Sequence, residues 1–214
     1  MTVAAKICGL STEAAVAAAV DGGAAFVGFV FYPPSPRSIA PTRAGELARI
    51  VPPSVKRAAL FVDADDATIG AALDVAPTID ILQFHGAETP ERVAEAKHRF
   101  GRQIMKAVAI AGAADLVVAA GYEEAADLLL FDAKPPPGAT RPGGNGLAFD
   151  WQLIAGREWR LPWLLSGGLT AELLPEAVRT SGARAVDVSS GVESAPGQKD
   201  PDKIRAFLDA ASRL

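Results

Sequence analysis

The chain has 214 residues, half of them hydrophobic, and a formal net charge of -4. That length suits one domain with a substantial core, and residues 1–214 are expected to form one. The acidic balance gives no reason to expect nucleic acid or an anionic membrane as partner, although a local anion site on an acidic protein remains open. A lone cysteine, Cys8, excludes an intrachain disulfide. The N-terminus lacks a signal-peptide pattern, because Lys6, Cys8, Glu13 and Asp21 interrupt it. No charge-free apolar run reaches the ~20 residues a membrane span needs. A cytoplasmic location is expected.

Short apolar runs alternate with longer Ala/Leu/Val segments of helical spacing. Ala4 to Cys8 reads as a strand, and Ser11 is placed to cap the Ala-rich helix that follows. Ala25 to Phe31 carries no charge, as a strand buried on both faces should. A Pro-rich loop, Pro33 to Pro36, leads to a helix over Thr42 to Ile50. Arg57 to Val62 reads as a strand and Asp66 to Val75 as a helix. Ile79 to Phe84 is the next strand; Thr89 then caps a helix opening at Pro90, where a missing N–H costs little. Gln103 to Ile110 is a fifth strand, with a helix from Ala113 to Ala119. Asp127 to Phe131 is a sixth, followed by a long loop, Ala133 to Gly146, and a short helix near Trp151. Trp163 to Leu165, a helix from Thr170 to Thr180, Ala185 to Val188 and a helix opened by Asp200-Pro201 complete the chain.

These are eight strand–helix units of about 27 residues, a length that lets each helix cross between parallel strands. The pattern points to an α/β fold, a single (β/α)8 TIM barrel. An open doubly wound sheet is the alternative; it has fewer strands and a Gly-rich turn after the first, which Cys8-Gly9-Leu10 is not. Barrel chemistry sits at the C-terminal ends of strands. Cys8, Arg37, Asp63, His85, Asp132, Gly167-Gly168 and Ser189-Ser190-Gly191 all fall there. Gly144, Gly146, Gly167, Gly168 and Gly191, with Ser190, belong to three loops that a barrel brings together. Glycine lets backbone N–H groups approach an oxyanion closely, so this set suits a phosphate.

Lys6-Ile7-Cys8-Gly9-Leu10, Gly28-Phe29-Val30-Phe31 with Ser35-Pro36-Arg37, and Leu82-Gln83-Phe84-His85-Gly86 resemble phosphoribosylanthranilate isomerases, the barrel enzymes of tryptophan biosynthesis. Phe131-Asp132, Gly143-Gly144-Asn145-Gly146, Ser166-Gly167-Gly168-Leu169 and Asp187-Val188-Ser189-Ser190-Gly191-Val192-Glu193 extend the resemblance in order along nearly the whole chain. Three positions depart from the usual pattern: Asn145 stands where threonine is common, Ser166 where alanine is, and Phe84 where leucine is frequent.

The resemblance implies an Amadori rearrangement of N-(5-phosphoribosyl)anthranilate to an open-chain aminoketose phosphate, with no redox step. Asp132 would be the general acid on the ring oxygen, and Cys8 the general base on the C2 hydrogen. Asp132 must then hold a proton in the complex, which burial beneath an aromatic substrate favours. Cys8 needs a push toward thiolate, and Lys6, two residues back on the same strand face, is one source. Arg37 would grip the anthranilate carboxylate through its guanidinium fork. His85 and Asp187 are candidate substrate contacts, and each is equally open to a structural reading. Read without the resemblance, Cys8 would be a buried structural cysteine and Asp132 a strand-end cap. Asp63 and Gln83 fall near the rim, with no role assigned; His98, Trp159 and Trp163 read as surface or packing residues. His85, His98 and Cys8 lack a metal-site spacing, so neither metal nor cofactor is expected. A small-molecule sugar phosphate is the expected partner, of a monomer or homodimer.

Two other kinds of protein compete with this reading. Among other phosphate-binding barrel enzymes, the histidine-pathway isomerases use paired aspartates, whereas the first strand here ends in Cys8, and indole-glycerol-phosphate synthases use lysine and glutamate groups on several strands, a pattern not matched here. A catalytically silent sugar-phosphate-binding barrel would need the glycines but not the Cys8/Asp132 pair.

Overall fold

The computed structural model describes residues 2–135, 138, 143, 146 and 148–214. Eight parallel strands close into a barrel in chain order: β1 (Ala4–Cys8), β2 (Phe26–Val30), β3 (Lys56–Phe61), β4 (Ile81–Phe84), β5 (Gln103–Ile110), β6 (Leu128–Ala133), β7 (Trp163–Leu165) and β8 (Ala185–Val188). Among the described residues seven helices wrap it: α1 (Glu13–Asp21), α2 (Pro41–Arg49), α3 (Asp66–Val75), α4 (Pro90–Phe100), α5 (Ala113–Ala120), α6 (Leu174–Ser181) and α7 (Pro201–Ser212). After β6 the described crossover contains only a 3-10 turn, Trp151–Leu153.

Alternation along the strands sorts the core into two parts. Outward residues such as Ile7, Phe29, Phe61, Phe84 and Phe131 pack beneath the helices. Inward residues Ala58, Ile81, Met105, Leu128, Leu130 and Leu164 fill the ring's lower half. Cys8, Val30 and Leu60 form a smaller cluster above them. Removing these side chains from water stabilises the barrel by roughly 1.5–3 kcal/mol for each large one. Trp159 and Trp163 pack against Phe131, with ring centroids 4.8 and 5.4 Å away.

Several boundaries depart from the sequence pattern for identifiable reasons. Thr12, not Ser11, caps α1, its hydroxyl accepting from the Ala15 N–H at 3.3 Å. β6 runs two residues further than its apolar run and so includes Asp132. α6 begins at Leu174 rather than Thr170, because a turn held by the Leu173 N–H to Thr170 Oγ1 precedes it. An antiparallel hairpin, β9 (Glu193–Ala195) with β10 (Gln198–Lys199), follows β8 and was not expected. Its Pro196-Gly197 step, with Gly197 at φ 81°, has the sequence signature of a type II turn. Thr89 and Asp200 cap α4 and α7 as expected, each followed by proline.

Candidate active site

One cavity opens at the C-terminal mouth of the barrel. Six strands of the barrel contribute to its wall, through Cys8, Val30, Leu60, Gln83, Asp132 and Asp187, and Ser166 lines it from just beyond β7. Arg37, His85, Gly146, Gly167, Gly168 and Ser190 join them from the loops. Most of the expected site residues are thus brought together. Gly144 and Asn145 lie outside the described residues. Gly191 does not line the cavity. It packs instead on loop seven, where a Cβ would run into the Leu169 carbonyl.

Cys8 ends β1 and is 3% exposed. The same strand face carries Lys6, fully buried, whose Nζ donates to Asp187 Oδ1 at 2.7 Å. Lys6 and Asp187 are register partners on β1 and β8, so barrel closure creates the pair. Ser166 Oγ donates to the second Asp187 oxygen at 3.3 Å. Asp187 thus neutralises the ammonium beneath the thiol. Burial pulls the Lys6 ammonium down, but Asp187 and Cys8 outweigh it and hold its pKa above the usual value. Burial pushes the Cys8 thiol up; Lys6 and Lys199 oppose that, Asp187 adds to it, and the net result is upward. The expected bias toward thiolate is thus present in Lys6 but outweighed. Any thiolate formed here is a stronger base than an ordinary one. Gly28 makes the crowding possible, since a Cβ there would lie 3.0 Å from Cys8 Sγ and 3.2 Å from Lys6 Nζ.

Asp132 stands on β6, with β7 and β8 between it and β1. Its Oδ1 accepts from the Ala133 N–H at 2.9 Å, and its Oδ2 lies 3.1 Å from His85 Nε2. His85 Nδ1 lies 3.4 Å from Gln83 Nε2. Gln83 is fully buried, and its Oε1 has no hydrogen-bond partner among the described residues. With the amide N–H donating to Nδ1, the ring proton sits on Nε2 and is donated to the carboxylate. With the amide turned over, Oε1 accepts from Nδ1–H and Nε2 becomes an acceptor for a protonated Asp132. The same three side chains can therefore serve either state of the acid. Gly143 packs directly on this pair: a Cβ there would lie 2.5 Å from both Asp132 Oδ2 and His85 Nε2.

The loop carrying His85 rests on a buried ion pair that sequence reading missed. Lys106, pointing outward from β5, donates to Glu88 Oε2 at 2.8 Å and to the Gly86 carbonyl at 2.6 Å. Glu88 in turn accepts from the Asp63 and Gly86 N–H groups at 2.8 and 2.9 Å. Asp63, at φ 49°, accepts from the Ala87 N–H at 2.7 Å, so it ties loops three and four together.

Arg37 is 6% exposed, which excludes a solvated loop charge. Its Nε and Nη2 donate to the two Glu193 oxygens at 2.7 and 2.9 Å. Lys199 Nζ donates to Glu193 Oε1 at 2.6 Å. Burial works against the Glu193 carboxylate, yet the two cations hold its pKa below the usual range. Burial lowers the Lys199 ammonium, with Glu193 partly restoring it. Neither Glu193 as a partner of Arg37 nor Lys199 as a partner of Glu193 was found in the sequence, although Glu193 stood in one of the motifs. Gly146 and Ser190 meet where loops six and eight converge, a Gly146 Cβ lying 3.8 Å from Ser190 Oγ. Gly146, Gly167 and Gly168 adopt φ of 71°, 92° and 64°, a region side chains avoid. No group of acidic, His or Cys side chains that could hold a metal ion occurs among the described residues. No helix among them is long and apolar enough to cross a membrane.

Comparison with known proteins agrees along the whole length. Residues 5–210 match the family model described as N-(5'phosphoribosyl)anthranilate (PRA) isomerase. The N-(5'-phosphoribosyl)anthranilate isomerase of Rhodospirillum centenum is 57% identical over 215 residues, covering 100% of both chains. The crystal structure of phosphoribosyl anthranilate isomerase from Thermotoga maritima superposes with a TM-score of 0.88 at 36% identity, covering 99% of this chain and 100% of that one. A phosphoribosyl anthranilate isomerase in complex with reduced 1-(o-carboxyphenylamino)-1-deoxyribulose 5-phosphate gives a TM-score of 0.85 at 34% identity, over 99% and 100% of the two chains. The chain belongs to the N-(5'-phosphoribosyl)anthranilate isomerase family.

Proposed function

We propose that this protein converts N-(5-phosphoribosyl)anthranilate to 1-(2-carboxyphenylamino)-1-deoxyribulose 5-phosphate in tryptophan biosynthesis, with residues 1–214 acting as one domain. The observation that carries the reading is the placement of Cys8 and Asp132 on non-adjacent strands of one cavity. A sugar bound between them meets an acid and a base on different sides.

Protonated Asp132 gives its proton to the furanose ring oxygen as the C1–O bond breaks, leaving an iminium between C1 and the anthranilate nitrogen. The thiolate of Cys8 then takes the hydrogen from C2. The C–H electron pair becomes the C1–C2 double bond, and the iminium π electrons return to nitrogen. The resulting enolamine tautomerises to the aminoketose. His85, hydrogen-bonded to Asp132, holds it in orientation beside the substrate. Asp187 serves Cys8 through Lys6 and faces the sugar hydroxyls. Arg37 binds the anthranilate carboxylate. Gly144, Gly146, Gly167, Gly168, Ser190 and Gly191 form or shape the phosphate end. The enzyme works in the cytoplasm, as a monomer or homodimer.

The test is the decay of anthranilate-type fluorescence when the protein meets freshly generated phosphoribosylanthranilate. Fast decay is expected with the wild type. Asp132→Asn and Cys8→Ala should each slow it by about 10²–10⁴-fold while the bound product analogue is retained. Wild-type decay no faster than the spontaneous background would overturn the reading.

A further inference from the structure

The hairpin after β8 places a second buried cation beside Arg37. Lys199, on β10, has a side chain 1% exposed. Its three N–H groups meet three acceptors: Glu193 Oε1 at 2.6 Å, the Ser189 carbonyl at 2.8 Å and Ser189 Oγ at 3.1 Å. That is the full complement of an ammonium, so the geometry is built for the charged form. The cluster is tied to the elements around it. Ser189 Oγ donates to the Cys8 carbonyl at 3.1 Å, fixing it to the end of β1. The hairpin turn abuts the loop that carries Arg37, since a Cβ on Gly197 would strike the Pro36 carbonyl.

Charge bookkeeping makes the arrangement informative. A buried Arg37–Glu193 pair by itself sums to zero and offers little to an anion. With Lys199 the three side chains sum to one positive charge, next to a cavity that Arg37 lines. Glu193 holds the Nε–Nη2 edge of Arg37 in a fixed orientation. Lys199 offsets the charge that this orientation introduces.

We propose that Lys199 is a specificity-determining positioning residue: by neutralising Glu193 it leaves the Arg37–Glu193–Lys199 cluster with the single positive charge that selects substrates bearing an aryl carboxylate. The inference rests on the reading of Arg37 as the carboxylate binder. Lys199 itself need not touch substrate.

The experiment compares two ligands by calorimetry at low salt. One is reduced 1-(o-carboxyphenylamino)-1-deoxyribulose 5-phosphate; the other is its phenylamino counterpart without the carboxylate. The readout is the ratio of their dissociation constants, which cancels the shared phosphate grip. Lys199→Met should lower the ratio about tenfold, because the cluster becomes neutral. Adding Glu193→Gln to that variant returns the cluster to one positive charge and should recover most of the ratio. A purely structural role predicts the reverse, since the double variant loses more hydrogen bonds. Lys199→Gln makes the same charge change if Lys199→Met does not fold. An unchanged ratio in Lys199→Met, with Arg37→Ala abolishing it, would overturn the role of Lys199 and keep that of Arg37. A ratio lost in Lys199→Met and not recovered in the double variant would also overturn it. An unchanged ratio in Arg37→Ala would overturn the underlying reading instead.

Discussion

Lys6→Met should be among the most damaging single changes available at the site. Methionine retains an unbranched stem as far as Cε and lacks only the ammonium, so the perturbation is chiefly electrostatic. Asp187 would keep only the Ser166 hydroxyl at 3.3 Å and lose the ammonium at 2.7 Å, at a position 4% exposed. Breaking a buried pair by removing one partner costs about 3–5 kcal/mol. A chain of this size melts about 2–4 °C lower per kcal/mol lost, so the drop should be about 6–20 °C. Adding Asp187→Asn removes the stranded charge and should recover a large part of it. Differential scanning calorimetry on wild type, single and double variants reads this directly. The double variant should still fail catalytically, because burial then acts on the Cys8 thiol with only Lys199 opposing it. A single variant that melts within 2 °C of wild type, equivalent to about 1 kcal/mol or less, would mean the pair behaves like an exposed one and would refute the reasoning.

The thiolate is the form that alkylates, and burial holds the Cys8 pKa above its ordinary 9.0. Iodoacetamide labelling should therefore be slower than for a free thiol at neutral pH and still be rising above pH 9, with Lys6→Met shifting the curve further alkaline; a plateau near pH 7 would contradict this. Gly143→Ala forces a methyl to within 2.5 Å of both Asp132 and His85. A displacement on that scale should cut turnover by about 10²-fold with little change in melting temperature, and wild-type turnover would show that this loop does not bear on the acid.

The barrel was legible because its repeat is regular. β5 and α3 have the bounds that periodicity gives them, and Thr89 and Asp200 act as the caps their side chains suggest. β6 was cut short in the sequence because a carboxylate inside a strand looks like its end. Here the barrel mouth tolerates it, with His85 as partner. The β9–β10 hairpin was missed because strands of three and two residues carry no usable alternation. At the site, residue types at strand ends were enough to gather Cys8, Arg37, His85, Asp132, Gly146, Gly167 and Gly168. Their partners were not readable: Lys6 meets Asp187, and Arg37 meets Glu193, only across closures between distant parts of the chain. Lys106 and Glu88 likewise meet only where the fold buries them together.

The closure between β1 and β8 sets the order in which the enzyme can come alive. Lys6 and Asp187 lie 181 positions apart, and Lys199 is later still. A chain emerging from the ribosome makes Cys8 almost at once, but nearly its whole length must follow before the groups that set its charge exist. Until then Lys6 has no counter-ion and gains by staying in water, which resists premature sealing of the ring. The Lys6–Asp187 clasp joins the first strand of the barrel to the last, so Cys8 acquires its full surroundings only in a finished fold.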